Sequence, residues 1–185
     1  MKKQKNIPFS PPDITDKEIN EVVDTLKSGW ITTGPKTKEF EKRIAKFCHT
    51  DKAVCLNSQT ACQEMTLRLL GIGPGDEVIT SAYTYTASAS VINHIGAKIV
   101  LVDTQKDSYE MDYNKLEDAI TEKTKAIIPV DIAGVMCDYD KIFTIIKKNK
   151  SLFTPNNNIQ KLYTTIIVSS YATHSFPPTY KGQPS

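Results

Sequence analysis

The sequence predicts an α/β fold, a three-layer α/β/α sandwich built on a mixed, mostly parallel sheet. Short, continuously apolar runs such as "KIVLVD" and "KAIIPV" recur with amphipathic segments between them. A strand without polar alternation is one buried on both faces, as in a parallel sheet covered by helices. Capping residues and glycines also mark the boundaries of most segments, so the alternation is punctuated as well as periodic. At 185 residues, 39% hydrophobic and 24% charged, the chain suits one soluble domain with a sizeable core.

Taken in order, Thr15-x-x-Glu18 is a capping box before Ile19, Val22, Val23 and Leu26, whose spacing marks one face of a helix ending near Ser28 and Gly29. Pro35 opens a second helix with Phe40, Ile44 and Phe47 on one side. "AVCL", residues 53–56, reads as a buried strand. A helix follows from about Thr60 to Leu70 and ends at Gly71, and "GIGPGD" turns into the strand "EVITSAY". "ASASVINHIG" is a short helix and "KIVLVD" a strand. "NKLEDAI" is a helix opened by Asn114-x-x-Glu117, "KAIIPV" a strand and "DYDKIFTIIKKN" a helix. "SLFTPNNNIQ" is a polar loop before a last strand, "TTIIVSS".

Composition removes several function classes. Net charge is +2, from 23 basic and 21 acidic residues, which makes no electrostatic case for nucleic acid. "MKKQKNIPFSPPD" is basic but lacks the apolar stretch of a signal peptide, and no run approaches the roughly 18 apolar residues that span a bilayer. We therefore expect a cytoplasmic protein with no membrane partner. Cys48, Cys55, Cys62 and Cys137 contain no C-x-x-C pair, and with three histidines in the chain they read as free thiols, not as a zinc site.

Ligands of parallel sheets sit at the carboxyl ends of the strands. The polar residues expected there are Asn57, Ser58 and Thr60, then Tyr83 and Tyr85, Asp103, Asp131 and Gly134, and Tyr171 to His174. "GIGPGD" precedes a strand and has its third glycine one place too early for a dinucleotide fingerprint, so Gly71, Gly73 and Gly75 read as a cap and a turn. At "NSQTACQ" two readings stand side by side. Ser58, Thr60 and the Thr60-x-x-Gln63 spacing could satisfy the helix start internally as an ordinary capping box, or the helix start could receive a phosphate.

Several separated stretches carry a family resemblance: "SGWITTGPKTKEFEKRIAKF", "NSQTA", "GIGPGDEVITSAYTYTASASVINHIGAKIVLVD", "TKAIIPVDIAG" and "ATHSFPPTYKG". In that order they resemble the first half of the DegT/DnrJ/EryC1/StrS sugar aminotransferases, which are pyridoxal-phosphate enzymes with the aspartate aminotransferase fold. The resemblance implies that residues 1–185 are the N-terminal part of the large, cofactor-binding domain of a type I pyridoxal-phosphate-dependent transferase, with the small C-terminal domain absent. It implies amino transfer, with glutamate as the expected donor, to a nucleotide-linked keto sugar in cell-surface polysaccharide or amino-sugar biosynthesis. A homodimer is implied too. Thr60 and Ala61 match the positions that hold the cofactor phosphate, with Ser58 a further candidate on the same turn; Tyr85 matches the ring that packs on the pyridine face, and His174 a position near the ring and its 3-hydroxyl. Trp30, Thr32 and Thr33 match the substrate end of the site.

The departures are equally specific. The family motif D-A-A-H-S-F is here "YATHSF", so Tyr171 stands where the resemblance places an Asp paired with the pyridine nitrogen. A phenol supplies no such charge. The chain stops at Ser185, before the Ser-x-x-x-x-Lys segment whose Lys forms the Schiff base, and Lys181 matches a surface turn. No residue of this chain is therefore expected to be catalytic, and the chain alone is expected to be inactive. The alternatives are a non-catalytic binding or regulatory protein on the same scaffold and an unrelated nucleotide-binding enzyme, which the missing glycine fingerprint disfavours.

Overall fold

The computed structural model describes Pro8, residues 11–173 and the backbone of 179–180 and 183–184. The chain divides into two compact units, residues 1–53 and residues 54–185. The first holds two helices, α1 (Asp16–Lys27) and α2 (Pro35–Phe47). The expected capping box opens α1, where the Glu18 carboxylate accepts from the Thr15 amide at 2.7 Å. Lys36 of α2 reaches back to the Glu21 carboxylate of α1 at 2.6 Å. None of the residues of α1 is buried, so its stripe of Ile19, Val22, Val23 and Leu26 faces outward.

The second unit is built on a sheet of four parallel strands, β1 (Glu77–Ser81), β2 (Lys98–Val102), β3 (Thr124–Ile128) and β4 (Ile167–Val168), in the order β2-β1-β3-β4. A separate two-stranded antiparallel pair joins β5 (Thr179–Tyr180) and β6 (Gln183–Pro184), and isolated antiparallel bridges link Thr104 with Met111 and Ile132 with Val135. Four helices cover the sheet: α3 (Gln59–Leu69), α4 (Ala87–His94), α5 (Tyr113–Ala119) and α6 (Tyr139–Lys148). Successive strand side chains point to opposite faces, and the core divides accordingly. Val78, Ala126 and Ile128 pack with Leu67 of α3 and Val91 and Ile92 of α4. Ile79, Ile127 and Val102 pack with Leu116 of α5 and Ile142 and Ile146 of α6. The result is three layers, with β1 and β3 buried along their whole length.

Three expectations are corrected. Residues 53–56 form no strand, and Val54 and Leu56 are 73% and 43% exposed. An apolar tetrapeptide becomes a strand only beside a ladder partner, and among the described residues none lies alongside it. The cap of α5 is Asp112, which accepts from the amides of Asn114 and Lys115 at 3.0 and 3.3 Å, while Glu117 pairs with Lys148. The stretch 151–160 is more than a loop: 3₁₀ turns at Lys150–Leu152 and Gln160–Leu162 bracket it.

That stretch is fastened at the amino edge of the sheet. Asp76, 1% exposed, accepts from Asn156 Nδ2 at 2.5 Å, Gln160 Nε2 at 2.7 Å and the Gly73 amide at 3.2 Å. Gly71 O accepts from Asn157 and Gln160, and Tyr163 donates to Leu70 O at 2.6 Å. Gly71 has φ +68°, and a Cβ there would lie 2.9 Å from Asn157 Oδ1, so both backbone and space require glycine. Among the described residues no helix is long and apolar enough to cross a membrane, and no three His, Cys, Asp or Glu side chains converge as a metal site.

Because Asp76→Ala leaves buried amide donors without their acceptor, it should lower stability by about 3 kcal/mol, read from urea denaturation followed by circular dichroism. A loss under about 1 kcal/mol would mean that the network contributes little.

Candidate functional site

The site is the carboxyl edge of the sheet, and α3 supplies its first component. Two sets of contacts orient this helix. At its far end Leu70 O and Gly71 O receive Tyr163, Asn157 and Gln160, which gather around Asp76 just before β1. Near its start Gln63 Nε2 donates to Ser169 O at 3.2 Å and Ser169 Oγ at 3.0 Å, just beyond β4. So α3 runs antiparallel to the strands, and its N-terminus lies at their carboxyl edge.

The cap is Ser58, whose hydroxyl accepts from the Ala61 amide at 3.1 Å. The expected Thr60-x-x-Gln63 box does not form, because Gln63 is 3% exposed and its amide is committed to Ser169. Thr60 lies one residue inside the helix. With Ala61 bonded to Ser58 Oγ and Cys62 to Ser58 O, the amides of Gln59 and Thr60 and the Thr60 hydroxyl have no intramolecular hydrogen-bond partner among the described residues. Two convergent N–H groups and a hydroxyl at the positive end of a helix are suited to a phosphate.

Around this start the strand exits carry the other groups. After β1, Ser81 Oγ accepts from the Tyr83 amide at 3.2 Å and Thr84 and Ser88 share a hydrogen bond of 2.8 Å. Tyr83 stacks on Tyr109 with centroids 5.0 Å apart, and the Tyr85 side chain is 71% exposed. After β2, the Thr104 amide, and then Lys115, hold the Asp103 carboxyl below the usual carboxylate range.

After β3, Asp131 is wholly buried and accepts from the Cys137 amide at 2.8 Å, the Tyr139 hydroxyl at 2.8 Å and Ser170 Oγ at 3.1 Å. Burial, with the Asp131 charge adding to it, pushes the Cys137 thiol up to about 12. Burial likewise raises the Tyr139 phenol, with Asp131 reinforcing it against the opposing bond from Ser170. Both groups therefore stay protonated at neutral pH. They serve as hydrogen-bond donors, not as nucleophile or base.

After β4, Tyr171 is 5% exposed and joins the apolar cluster on the α3 and α4 face. Its amide donates to Pro129 O at 2.9 Å, and its carbonyl accepts from the Asp131 amide at 3.1 Å.

The structure thus brings Ser58, Thr60, Ala61, Tyr85 and Tyr171 to elements that open on one edge. Trp30, Thr32 and Thr33 belong to the first unit. There Trp30 Nε1 donates to Thr33 O at 3.1 Å, and Trp30, Ile31, Thr32 and Lys36 line a cavity of about 360 Å³. A Cβ on Gly34 would lie 2.1 Å from the indole nitrogen, so the turn needs glycine to let the ring close over it. His174 and Lys181 lie outside the described residues. Sequence reasoning missed Gln63 as a link to β4 and the convergence of Ser170 and Tyr139 on Asp131. The available signal for Gln63 was a polar side chain on the inward face of a helix.

The model of the DegT/DnrJ/EryC1/StrS aminotransferase family matches residues 12–153. Spore coat polysaccharide biosynthesis protein SpsC of Bacillus subtilis is 43% identical over 165 residues, covering 89% of this chain and 42% of its own. The UDP-4-amino-4-deoxy-L-arabinose–oxoglutarate aminotransferase of Shewanella sediminis is 40% identical over 178 residues, covering 96% of this chain and 42% of its own. Spr1654 of Streptococcus pneumoniae, which its name provisionally makes a sugar aminotransferase, has been solved in a PLP-form, a PMP-form and an apo-form. It superposes with a TM-score of 0.94 at 60% identity, covering 98% of this chain and 46% of its own. The chain spans less than half the length of these relatives.

Ser58→Ala should lower stability by about 1 kcal/mol by removing the cap of α3, measured as a shift in the thermal midpoint. No shift would mean that the helix start is held by other contacts alone.

Proposed function

We propose a function on one premise: this chain belongs to the DegT/DnrJ/EryC1/StrS aminotransferase family. It is the N-terminal part of the pyridoxal-phosphate-binding large domain of a sugar aminotransferase. In the whole protein it would help seat the cofactor for transfer of an amino group from an amino acid, with glutamate favoured, to a nucleotide-linked keto sugar in cell-surface polysaccharide or amino-sugar biosynthesis. The observation that carries this reading is the first turn of α3 at the carboxyl edge, where the amides of Gln59 and Thr60 and the Thr60 hydroxyl have no hydrogen-bond partner among the described residues.

The residues present fit the phosphate end of the cofactor. In this reading the Gln59 and Thr60 amides bind the dianion, Ser58 keeps the turn open by capping Ala61 and not Thr60, and Tyr85 offers its exposed ring to the pyridine face. They do not fit the ring-nitrogen end, because Tyr171 is a phenol packed among apolar side chains. When bound, pyridoxal phosphate supplies the electron sink of transamination. Trp30, Thr32 and Thr33 are proposed for the sugar nucleotide, His174 for the neighbourhood of the cofactor ring, and the cytoplasm for location. The phenol at position 171 is the feature that favours the second reading, a binding or regulatory protein without chemistry.

Titration of the chain with pyridoxal phosphate should show weak, reversible binding that Thr60→Ala lowers by about tenfold. Reduction with borohydride should leave no single stoichiometric lysine adduct by mass spectrometry, and Tyr171→Asp should not confer turnover of glutamate to 2-oxoglutarate with a keto-sugar nucleotide. A stoichiometric adduct accompanied by turnover would overturn the expected inactivity, and unchanged binding by Thr60→Ala would overturn the phosphate seat.

The family resemblance implies a homodimer, and the outward apolar stripe of α1 supports association. Light scattering should show mass rising with protein concentration, and a concentration-independent monomer would refute it.

A further inference from the structure

We propose that Gln63 and Asp131 are positioning residues that clamp the exit of β4 from opposite faces of the sheet and so set its distance from the first turn of α3. The inference rests on the reading of that turn as a phosphate seat. Ser169 and Ser170 are consecutive at the end of an extended strand, so their side chains leave on opposite faces. On the α3 face Gln63 Nε2 donates to both oxygens of Ser169, and Gln63 Oε1 accepts from Gln59 Nε2 at 3.3 Å. One side chain thus joins the first residue of α3 to the strand exit. On the α6 face Ser170 Oγ donates to Asp131 Oδ2 at 3.1 Å, and Tyr139 touches both Asp131 at 2.8 Å and Ser170 at 2.7 Å.

Two arguments give this clamp a purpose. Backbone bonds hold the β4 exit to β3, from the Ser169 amide to Ile127 O at 3.0 Å and from the Tyr171 amide to Pro129 O at 2.9 Å, but they do not reach α3, and Gln63 makes that link. A wholly buried carboxylate held by neutral donors, and a buried glutamine where an apolar residue would pack, are also costly ways to gain stability. What such a network supplies is a defined geometry. A ligand that reaches from the α3 turn to the β4 exit needs that geometry, whereas an anion confined to the α3 turn does not.

The test uses Gln63→Leu, Asp131→Asn and Ser170→Ala in the 185-residue chain, with two probes. Pyridoxal phosphate, followed by absorbance, spans the edge; inorganic phosphate, followed by calorimetry, occupies only the α3 turn. Each variant should bind pyridoxal phosphate about tenfold more weakly and inorganic phosphate within about twofold of the wild type, and Ser170→Thr, which keeps the hydroxyl, should restore the first. Variants that bind pyridoxal phosphate as the wild type does overturn the proposal. So do variants that lose both probes in proportion to a fall in thermal midpoint, because that is a purely structural role. Should the two buried substitutions prevent folding, the exposed Ser170 pair decides alone. A wild-type chain that binds neither probe overturns the phosphate seat itself, and this inference with it.

Discussion

Because β1 is hydrogen-bonded to parallel neighbours on both sides, with Val78 opposite Ile99 in β2 and Ala126 in β3, every connection must return from the carboxyl edge to the amino edge before the next strand can start. The helices α4, α5 and α6 make those returns, and all three strand exits consequently open on one edge. The accumulation of Tyr85, Asp103 and Asp131 there follows from strand direction before any chemistry is considered. Parallel pairing also leaves β1 and β3 without a solvent face, which is why "VI" and "AII" are apolar residue after residue and why the buried Thr80 hydroxyl donates to Ile128 O at 3.0 Å.

Helix α3 is not one of those returns, since it precedes β1, and its orientation has to come from side chains. Hydrogen bonds hold it at both ends: Asn157, Gln160 and Tyr163 take its last carbonyls at the amino edge, and Gln63 ties its beginning to Ser169 at the carboxyl edge. Between them Leu67 contributes a buried apolar contact. Burying amides and a carboxylate in this way stabilises little in net terms, since each must first be stripped of water, but it penalises every alternative placement in which a donor is orphaned. Residues far apart in sequence, 63 with 169 and 76 with 160, are thereby made to agree on one arrangement.

Much of this was legible in the order of residues. The parallel core was readable because unbroken apolar runs of strand length have few other fates, and the capping box of Thr15 and Glu18 because its two partners are three residues apart. The family resemblance pointed to residues 58–61, and these lie at the start of α3. What could not be read were contacts fixed by distant partners. "AVCL" has the composition of a strand, but composition cannot say whether a partner lies beside it. Thr60 and Gln63 have the spacing of a capping box, yet Ser58, two residues earlier, wins the cap once Gln63 is drawn to Ser169. Tyr171 was visible as a departure in a motif, while its burial among Val130, Ile128 and their neighbours depends on the packing of a whole face.

The brevity of β4 bears on how the molecule moves. A strand of two residues, continued by backbone bonds from Ser169 to Ile127 and from Tyr171 to Pro129, lies at the edge of the sheet with one strand partner, whereas β1 and β3 are five-residue strands paired on both sides and buried along their length. Hydrogen exchange would then divide the sheet into a slow centre at β1 and β3 and a faster flank at β4. The edge that gathers the polar groups is therefore rigid on the side of β1 and yielding on the side of β4, and any ligand bridging the two would slow the fast flank most.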